Sequence, residues 1–437
     1  MKSTAPNHRQ VLNLALPMIA SNLSIPLLGM VDTAVVGHLP EAHHLGAVAV
    51  GALIFSFVFW GFGFLRMGTT GFVAQAFGAN DQRRVAVLLA QALALALILA
   101  LLVILTQKLV LGVALGWIAP PPAVESEVRV YFAIRIWAAP ATLLTYGLVG
   151  WFLGCQDARS PLLVMLTANL VNVVLDLWFV VILEWGVAGV AWASVIGEYL
   201  AVLLGLTLVM GKGALHRAFR HRADIFRSAD LLALLKVNRD IMLRTVCLIV
   251  AFAFFTRQGA SQGEVILAAN AILLNLQSFM AYGLDGFAHA AEALVGRAIG
   301  AANKAHIAAA IRISGWWSLW FAGAMAVIYL IGGDSIVGLM TDIPAVRQAV
   351  STFLPWMVIS PLLSVWSFWL DGVFIGATRG RDMRNTMLLS TFAVFLPAWW
   401  LLQGWGNHGL WAAFMAFFVA RGLLLGRLTP RIVALGR

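Results

Sequence analysis

About twelve apolar runs of some 20 residues or more recur along the chain, near 11–37, 45–78, 85–116, 130–154, 161–183, 187–210, 231–258, 264–299, 307–332, 346–377, 385–403 and 408–427. A helix of about 20 apolar residues crosses roughly 30 Å of hydrocarbon. In that medium every backbone N–H and C=O needs a partner within its own segment, so these runs are expected to be helices. With 61% hydrophobic and only 11% charged residues, the chain cannot wrap such segments in a polar shell. The expected fold is an all-α polytopic membrane protein.

The net charge of +10 raises the question of nucleic acid, and the placement of the cations answers it. Lys2 and Arg9 precede the first run, Arg83 and Arg84 follow the second, Arg159 follows the fourth, and Lys212, Arg217, Arg220, Arg222 and Arg227 follow the sixth. Arg297 with Lys304, then Arg379, Arg381 and Arg384, then Arg427, Arg431 and Arg437 continue the series. The alternate loops hold His38, Glu41, His43 and His44, or Glu184, or Asp334 and Asp342. Cations crowd the cytoplasmic ends of spans, so both termini are expected in the cytoplasm, with the protein in the inner (cytoplasmic) membrane and no nucleic-acid partner. The first run exceeds a signal-peptide core and lacks an evident cleavage site, so it is expected to be retained. Cys155 and Cys247 have neither the spacing of a metal site nor that of a disulfide framework.

Displaced by about 222 residues, the chain partly overlays itself, a shift read from Gln75-Ala-Phe-Gly-Ala-Asn80 against Arg297-Ala-Ile-Gly-Ala-Ala302. Pro140 and Gly154 meet Pro361 and Gly376, and Gly186 with Gly189 meets Gly406 with Gly409. Six spans duplicated in tandem insert with one orientation and are related by an axis along the membrane normal, with a central cleft between the copies. The expected organisation is an N-lobe over 1–210, a cytoplasmic linker over 211–229 and a C-lobe over 230–437.

The duplication supplies an internal control. Asp32 falls opposite Phe254, Asp176 opposite Leu396, Asn172 opposite Phe392 and Ser194 opposite Phe414. The first half thus carries a polar cluster that its copy lacks. Asn169, Asn172 and Asp176 are spaced i, i+3, i+7 and share one stripe of the fifth span. Counted from a cytoplasmic start near residue 160, Asn172 and Asp176 rise roughly 18 to 24 Å into the membrane. Ser194 descends from outside to a similar level, and Asp32 lies in the outer half once bends at Pro17 and Pro26 are allowed for. Two carboxylates brought together in low dielectric cannot both ionise cheaply, so such a site holds a proton or a small cation. The plainer alternative is that these side chains only hydrogen-bond between helices. Asp371 in the tenth span is a second candidate ligand, whereas Arg135, Glu198 and Arg244 are assigned to structural pairs.

No Gly-x-x-x-x-Gly-Lys-Ser/Thr loop occurs, so ATP is not expected to drive this chain directly. His-Glu-x-x-His and Gly-x-Ser-x-Gly are also missing, which removes the simplest zinc and serine hydrolase readings.

The runs Leu14-Ala-Leu-Pro-Met-Ile19, Gly29-Met-Val-Asp-Thr-Ala-Val-Val-Gly-His-Leu39 and Leu45-Gly-Ala-Val-Ala-Val-Gly51 resemble the multidrug and toxic compound extrusion (MATE) family, in its DinF-like branch. The resemblance continues through Leu65-Arg-Met-Gly-Thr-Thr-Gly-Phe-Val-Ala-Gln-Ala-Phe-Gly78, Gly150-Trp-Phe-Leu-Gly-Cys-Gln-Asp-Ala-Arg-Ser-Pro161 and Gly186-Val-Ala-Gly-Val-Ala-Trp-Ala-Ser-Val-Ile-Gly-Glu-Tyr199. It implies a twelve-helix antiporter with two bundles around a V-shaped cavity, exporting amphipathic, often cationic compounds in exchange for H⁺ or Na⁺, with no other cofactor. The family's cation site maps onto Asp32, Asn172, Asp176 and Ser194, and its bending proline onto Pro17, with Pro26 as a second hinge candidate. Asn169, Tyr146 and Met165 are expected to line the substrate cavity of a monomer. A second site credited to the NorM-like branch needs an acid in the seventh span that is missing here, so Asp371 stands alone and protons are favoured. Two alternatives stay open: a flippase for lipid-linked saccharides, and an intramembrane aspartyl hydrolase, which lacks its Gly-x-Gly-Asp signature.

Overall fold

The computed structural model describes residues 5–37, 42–225 and 227–436, with the side chains of 32–34, 36, 37, 42 and 228–230 outside the described set. All regular structure among the described residues is helical. In chain order the long helices are α1 (His8–Gly37), α2 (Ala42–Gly61 continued by Phe64–Gly78), α3 (Gln82–Leu105), α4 (Pro122–Arg135 continued by Ala139–Gly154), α5 (Arg159–Asp176) and α6 (Gly186–Gly211). The second half has α7 (Ser228–Ala260), α8 (Glu264–Gly300), α9 (Lys304–Met340), α10 (Pro344–Gly376), α11 (Gly380–Leu388 extended to Leu402) and α12 (Asn407–Val433). Eleven of the described helices are long and apolar enough to cross a membrane, and α7 takes the place of the seventh expected span. A further apolar helix, Gln107–Ile118, joins α3 to α4, and two short helices, Ala214–Arg220 and Arg222–Ile225, occupy the linker.

The duplication is written into backbone detail. Asp81 caps α3 by accepting from the N–H of Arg84 at 2.8 Å, and Asn303, 222 residues on, caps α9 by accepting from His306 at 3.0 Å. Just before each cap sits a left-handed residue, Asn80 at φ 58° and Ala302 at φ 50°. Gln156 and Thr378, again 222 apart, are left-handed at φ 61° and 53° where α4 and α10 end. Helix seating repeats as well. A Cβ on Gly150 of α4 would stand 2.5 Å from the carbonyl oxygen of Arg66 in α2, and one on Gly372 of α10 would overlap that of Ala288 in α8. Small residues let membrane helices approach backbone to backbone, which is why these glycines sit where they do.

By packing, the chain forms two compact units. One comprises Met1–Ile19, Ala74–Asn80 and Leu234–Arg437; the other comprises Ala20–Val73 and Asp81–Ala233. This division cuts through α1 and α2. Close approach explains which pieces join the first unit: a Cβ on Gly286 of α8 would strike Ile19, and one on Gly78 of α2 would overlap the Arg297 carbonyl. The contact is reciprocal, since a Cβ on Gly300 would overlap the carbonyl of Gln75. Residues 75 and 78 correspond to 297 and 300 in the repeat, so equivalent turns pack on each other as a two-fold relation requires.

In the first unit Phe255, Trp411, Phe414, Phe417 and Phe418 are fully or almost fully buried. Two of its buried amides, Asn270 and Asn407, exchange hydrogen bonds of 2.7 and 2.9 Å. In the second unit the buried Trp151 indole N–H donates to the Val85 carbonyl at 3.0 Å, tying α4 to α3. Arg135 pairs with Glu198, which also accepts from Thr142, and the guanidinium lies 5.6 Å from the centre of the Phe55 ring. These are the structural pairs expected of Arg135 and Glu198.

Candidate cation-coupling site

The polar stripe of α5 lies on the inner side of its helix. Asp176 is 0% exposed and Asn172 3%, while Leu163, Leu170 and Val174 on the opposite side are each more than half exposed. An apolar outer face and a polar inner face are the only stable way round for such a helix in lipid. Asn172 donates from Nδ2 to the Ser194 hydroxyl of α6 at 2.9 Å. That reach depends on Gly197, one turn further along α6, where a Cβ would come within 2.8 Å of the Ala168 carbonyl oxygen. Asn169 donates to the Ser24 hydroxyl at 2.6 Å, and Ser24 in turn donates to the Ser21 carbonyl at 2.6 Å. The second unit therefore brings α1, α5 and α6 together around this stripe through named hydrogen bonds.

Asp32 belongs to the α1 helix, but its side chain is outside the described residues, so the pairing expected of the two carboxylates has no measured distance here. Met165 is half-buried one turn before Asn169 on the same stripe, and Tyr146 of α4 is half-buried. Pro17 and Pro26 are both half-buried within a continuous α1. Each removes one backbone donor from the helix ladder. The unit boundary at Ile19 follows Pro17 by two residues, so α1 passes from one packing environment to the other just beyond its first proline.

Immediately after Asp176 the helix widens into a π-helical stretch, Leu177–Ile182. Wider turns of this kind re-aim side chains and break the regular ladder, and they concentrate at functional positions. A second π-helical stretch, Leu389–Phe395, interrupts α11, the counterpart of α5, but in a different register. There the surroundings are aromatic. Phe395 packs edge-on against Phe254 at 5.6 Å and contacts Phe414 at 5.8 Å, centre to centre. Phe254 and Phe414 are the counterparts of Asp32 and Ser194. The second half therefore has aromatic rings at the position equivalent to Ser194, where the first half places the Asn172–Ser194 hydrogen bond.

Asp371 presents a different picture from the candidate cation ligand expected of it. Its Oδ2 accepts from Arg244 of α7 and, at 2.6 Å, from Arg421 of α12, and all three side chains are buried. Two guanidinium groups already supply more positive charge than a monovalent ion would bring.

At the opposite end of α5, outside the spanning segment, Asp157 caps the helix. It accepts from the backbone N–H groups of Arg159 and Ser160 at 3.1 and 3.0 Å, from the Ser160 hydroxyl at 2.6 Å, and from Lys212 at the end of α6. Burial pushes its carboxyl up, but the hydrogen bonds from Lys212 and Ser160 outweigh it and hold the group below the usual carboxylate range.

Ser24 and Ser21 do not stand out in the sequence, where a pair of serines spaced i, i+3 carries no sign of its partner on another helix. The π-helical stretch after Asp176 has no residue signature that could have announced it.

The MatE family model matches the chain twice, over residues 17–178 and 241–400, one match for each copy of the repeat. The DNA damage-inducible protein F of Escherichia coli (strain K12) is 42% identical over 96% of this chain and 91% of its own length. The probable multidrug resistance protein NorM of Thermotoga maritima is 25% identical over 95% and 90%. Among solved structures, the Vibrio cholerae MATE transporter VcmN in its bent form superposes with a TM-score of 0.86 at 20% identity, over 98% of this chain and 97% of that one. The chain belongs to the MatE family, whose members are membrane transporters and not enzymes.

Proposed function

We propose that the protein exports small amphipathic, often cationic organic compounds in exchange for protons, by alternating access. The observation that carries this reading is Asp176: a fully buried carboxylate in a spanning helix, beside the Asn172–Ser194 hydrogen bond, at a position where the copy of the fold has leucine. An ionised Asp at such a depth costs on the order of 3 kcal/mol even on lenient scales, so it persists for a function. Protons arriving from outside neutralise Asp176 and Asp32, α1 rearranges at Pro17, and the bound compound is released. Reorientation then returns the protons to the cytoplasm. Asn169, Tyr146 and Met165 line the substrate cavity, where soft and flat side chains repack around different shapes. The substrate class is supported by the names of relatives, among them the multidrug resistance protein of Thermotoga maritima.

Protons are favoured over Na⁺ because Asp371 is held between Arg244 and Arg421, a surrounding that repels a further cation. The protein acts as a monomer in the inner membrane, with both termini and the linker over 211–229 in the cytoplasm and lobes over 1–210 and 230–437 as the moving bodies. The test is transport in proteoliposomes by wild type and Asp176→Asn under an inward proton gradient on the outer face. The variant is expected to lose at least nine-tenths of gradient-driven export while remaining folded. Undiminished export by the variant contradicts the proposal.

A further inference from the structure

We propose that His43, His44 and Glu127 form a binding site for a divalent first-row transition-metal ion, for which Zn²⁺ is the best fit. The two histidines open α2 and the glutamate lies on the first part of α4. One ligand atom from each residue falls within 4.8 Å of the other two. Two imidazoles and a carboxylate are the donor set that Zn²⁺ takes at sites with an open fourth position.

The separation within the cluster fits a bridging ion better than a direct bond. His44 Nδ1 stands 3.8 Å from Glu127 Oε2, too far for a hydrogen bond. That nitrogen is buried and has no hydrogen-bond partner. A zinc ion about 2.0–2.1 Å from nitrogen and about 2.0–2.2 Å from oxygen spans a gap of this size. The His43 and His44 rings lie 4.3 Å apart, tilted by 48°. The His44 and Glu127 side chains are 22% and 30% exposed, enough for an ion to enter.

The backbones that carry the ligands are held together independently of any ion. A Cβ on Gly46, one turn after His43, would lie 3.4 Å from Val124, one turn before Glu127, and one on Gly51 would overlap the Tyr131 ring. Both helices belong to the same compact unit. The neighbouring cation Arg129 is engaged by Glu125 at 2.6 Å, so it does not take the place of a metal on Glu127. A site mounted on two helices in close contact needs little reorganisation to close around an ion. The ion would pin the first turn of α2 to α4 on the side proposed above to face outward. Its binding does not depend on the transport reading; only its sidedness does.

The experiment uses the full-length protein, freed of any histidine tag and purified in detergent. Zn²⁺ binding is measured by calorimetry on wild type, His44→Ala and Glu127→Gln, and Co²⁺ is added to wild type to read coordination from its visible absorption. The expected result is one Zn²⁺ per chain, affinity weakened by about tenfold or more in each variant, and the intense visible bands of four-coordinate Co²⁺. Thermal unfolding of wild type with and without Zn²⁺ gives a variant-free check, with the midpoint expected to rise on binding. No stoichiometric binding by wild type, unchanged affinity in both variants, or a six-coordinate aquo-like Co²⁺ spectrum overturns the proposal.

Discussion

Asp176 and Asp157 are the same residue type at opposite ends of one helix, and their surroundings give them opposite roles. Asp157 is anchored by Lys212, Ser160 and two backbone N–H groups, which makes its charge a source of stability. Asp176 is buried in a segment whose copy does without a carboxylate, so its charge is expected to cost stability. Asp176→Asn should therefore leave the thermal midpoint unchanged or raise it by a few degrees, as seen on heating in detergent. Asp157→Asn should lower the midpoint by a few degrees at neutral pH. The sign of its pH dependence follows from a carboxyl held below its unfolded value of about 3.9: the contribution is complete above that value and is lost as pH falls through the lower folded one. The difference between wild type and Asp157→Asn should accordingly vanish in strong acid. Cys155, beside this cap, is pushed up to about 12, chiefly by burial, with the Lys212 charge opposing and the Asp157 charge adding. It stays a thiol at neutral pH and should react slowly with maleimide, as mass spectrometry of labelled protein would read out.

Between elements, the controlling contacts are glycines set against carbonyls. At Gly150 a methyl group meets the Arg66 backbone of α2 and Thr69, so Gly150→Ala should destabilise by about 1–3 kcal/mol through overpacking. Gly112, in the Gln107–Ile118 connector, has nothing within 4 Å of an added Cβ. Gly112→Ala should stabilise by about 0.5–1 kcal/mol through helix propensity, and chemical denaturation of the pair compares the two directly. The repeat was legible in sequence because such contacts demand glycine at fixed displacements, as Gly78 with Gly300 shows. The π-helical stretches of α5 and α11 were not legible, since hydrophobic periodicity does not distinguish a turn of one width from another. For α1, bends were expected at Pro17 and Pro26, and a 30-residue helix runs continuously through both.

Over the whole molecule, length of apolar runs and loop charge sufficed for an all-helical membrane fold, because lipid leaves the backbone so few alternatives. The stripe of Asn169, Asn172 and Asp176 was legible for the same reason: polar groups at helical spacing in a lipid-bound segment must turn inward. Ser24 escaped notice because a single serine in a span is common and only tertiary contact reveals its partner. The environment of Asp371 was also hidden, since Arg244 and Arg421 lie far from it in sequence and their convergence depends on how α7, α10 and α12 pack. Central to the proposed function is that protons, held by carboxylates of the first half, drive the cycle. The most direct measurement is export of a fluorescent cationic dye from proteoliposomes containing wild-type protein, with a proton gradient and a Na⁺ gradient imposed separately at equal driving force. The account predicts export under the proton gradient and none above background under the Na⁺ gradient. Export that follows Na⁺ and ignores the proton gradient would contradict it.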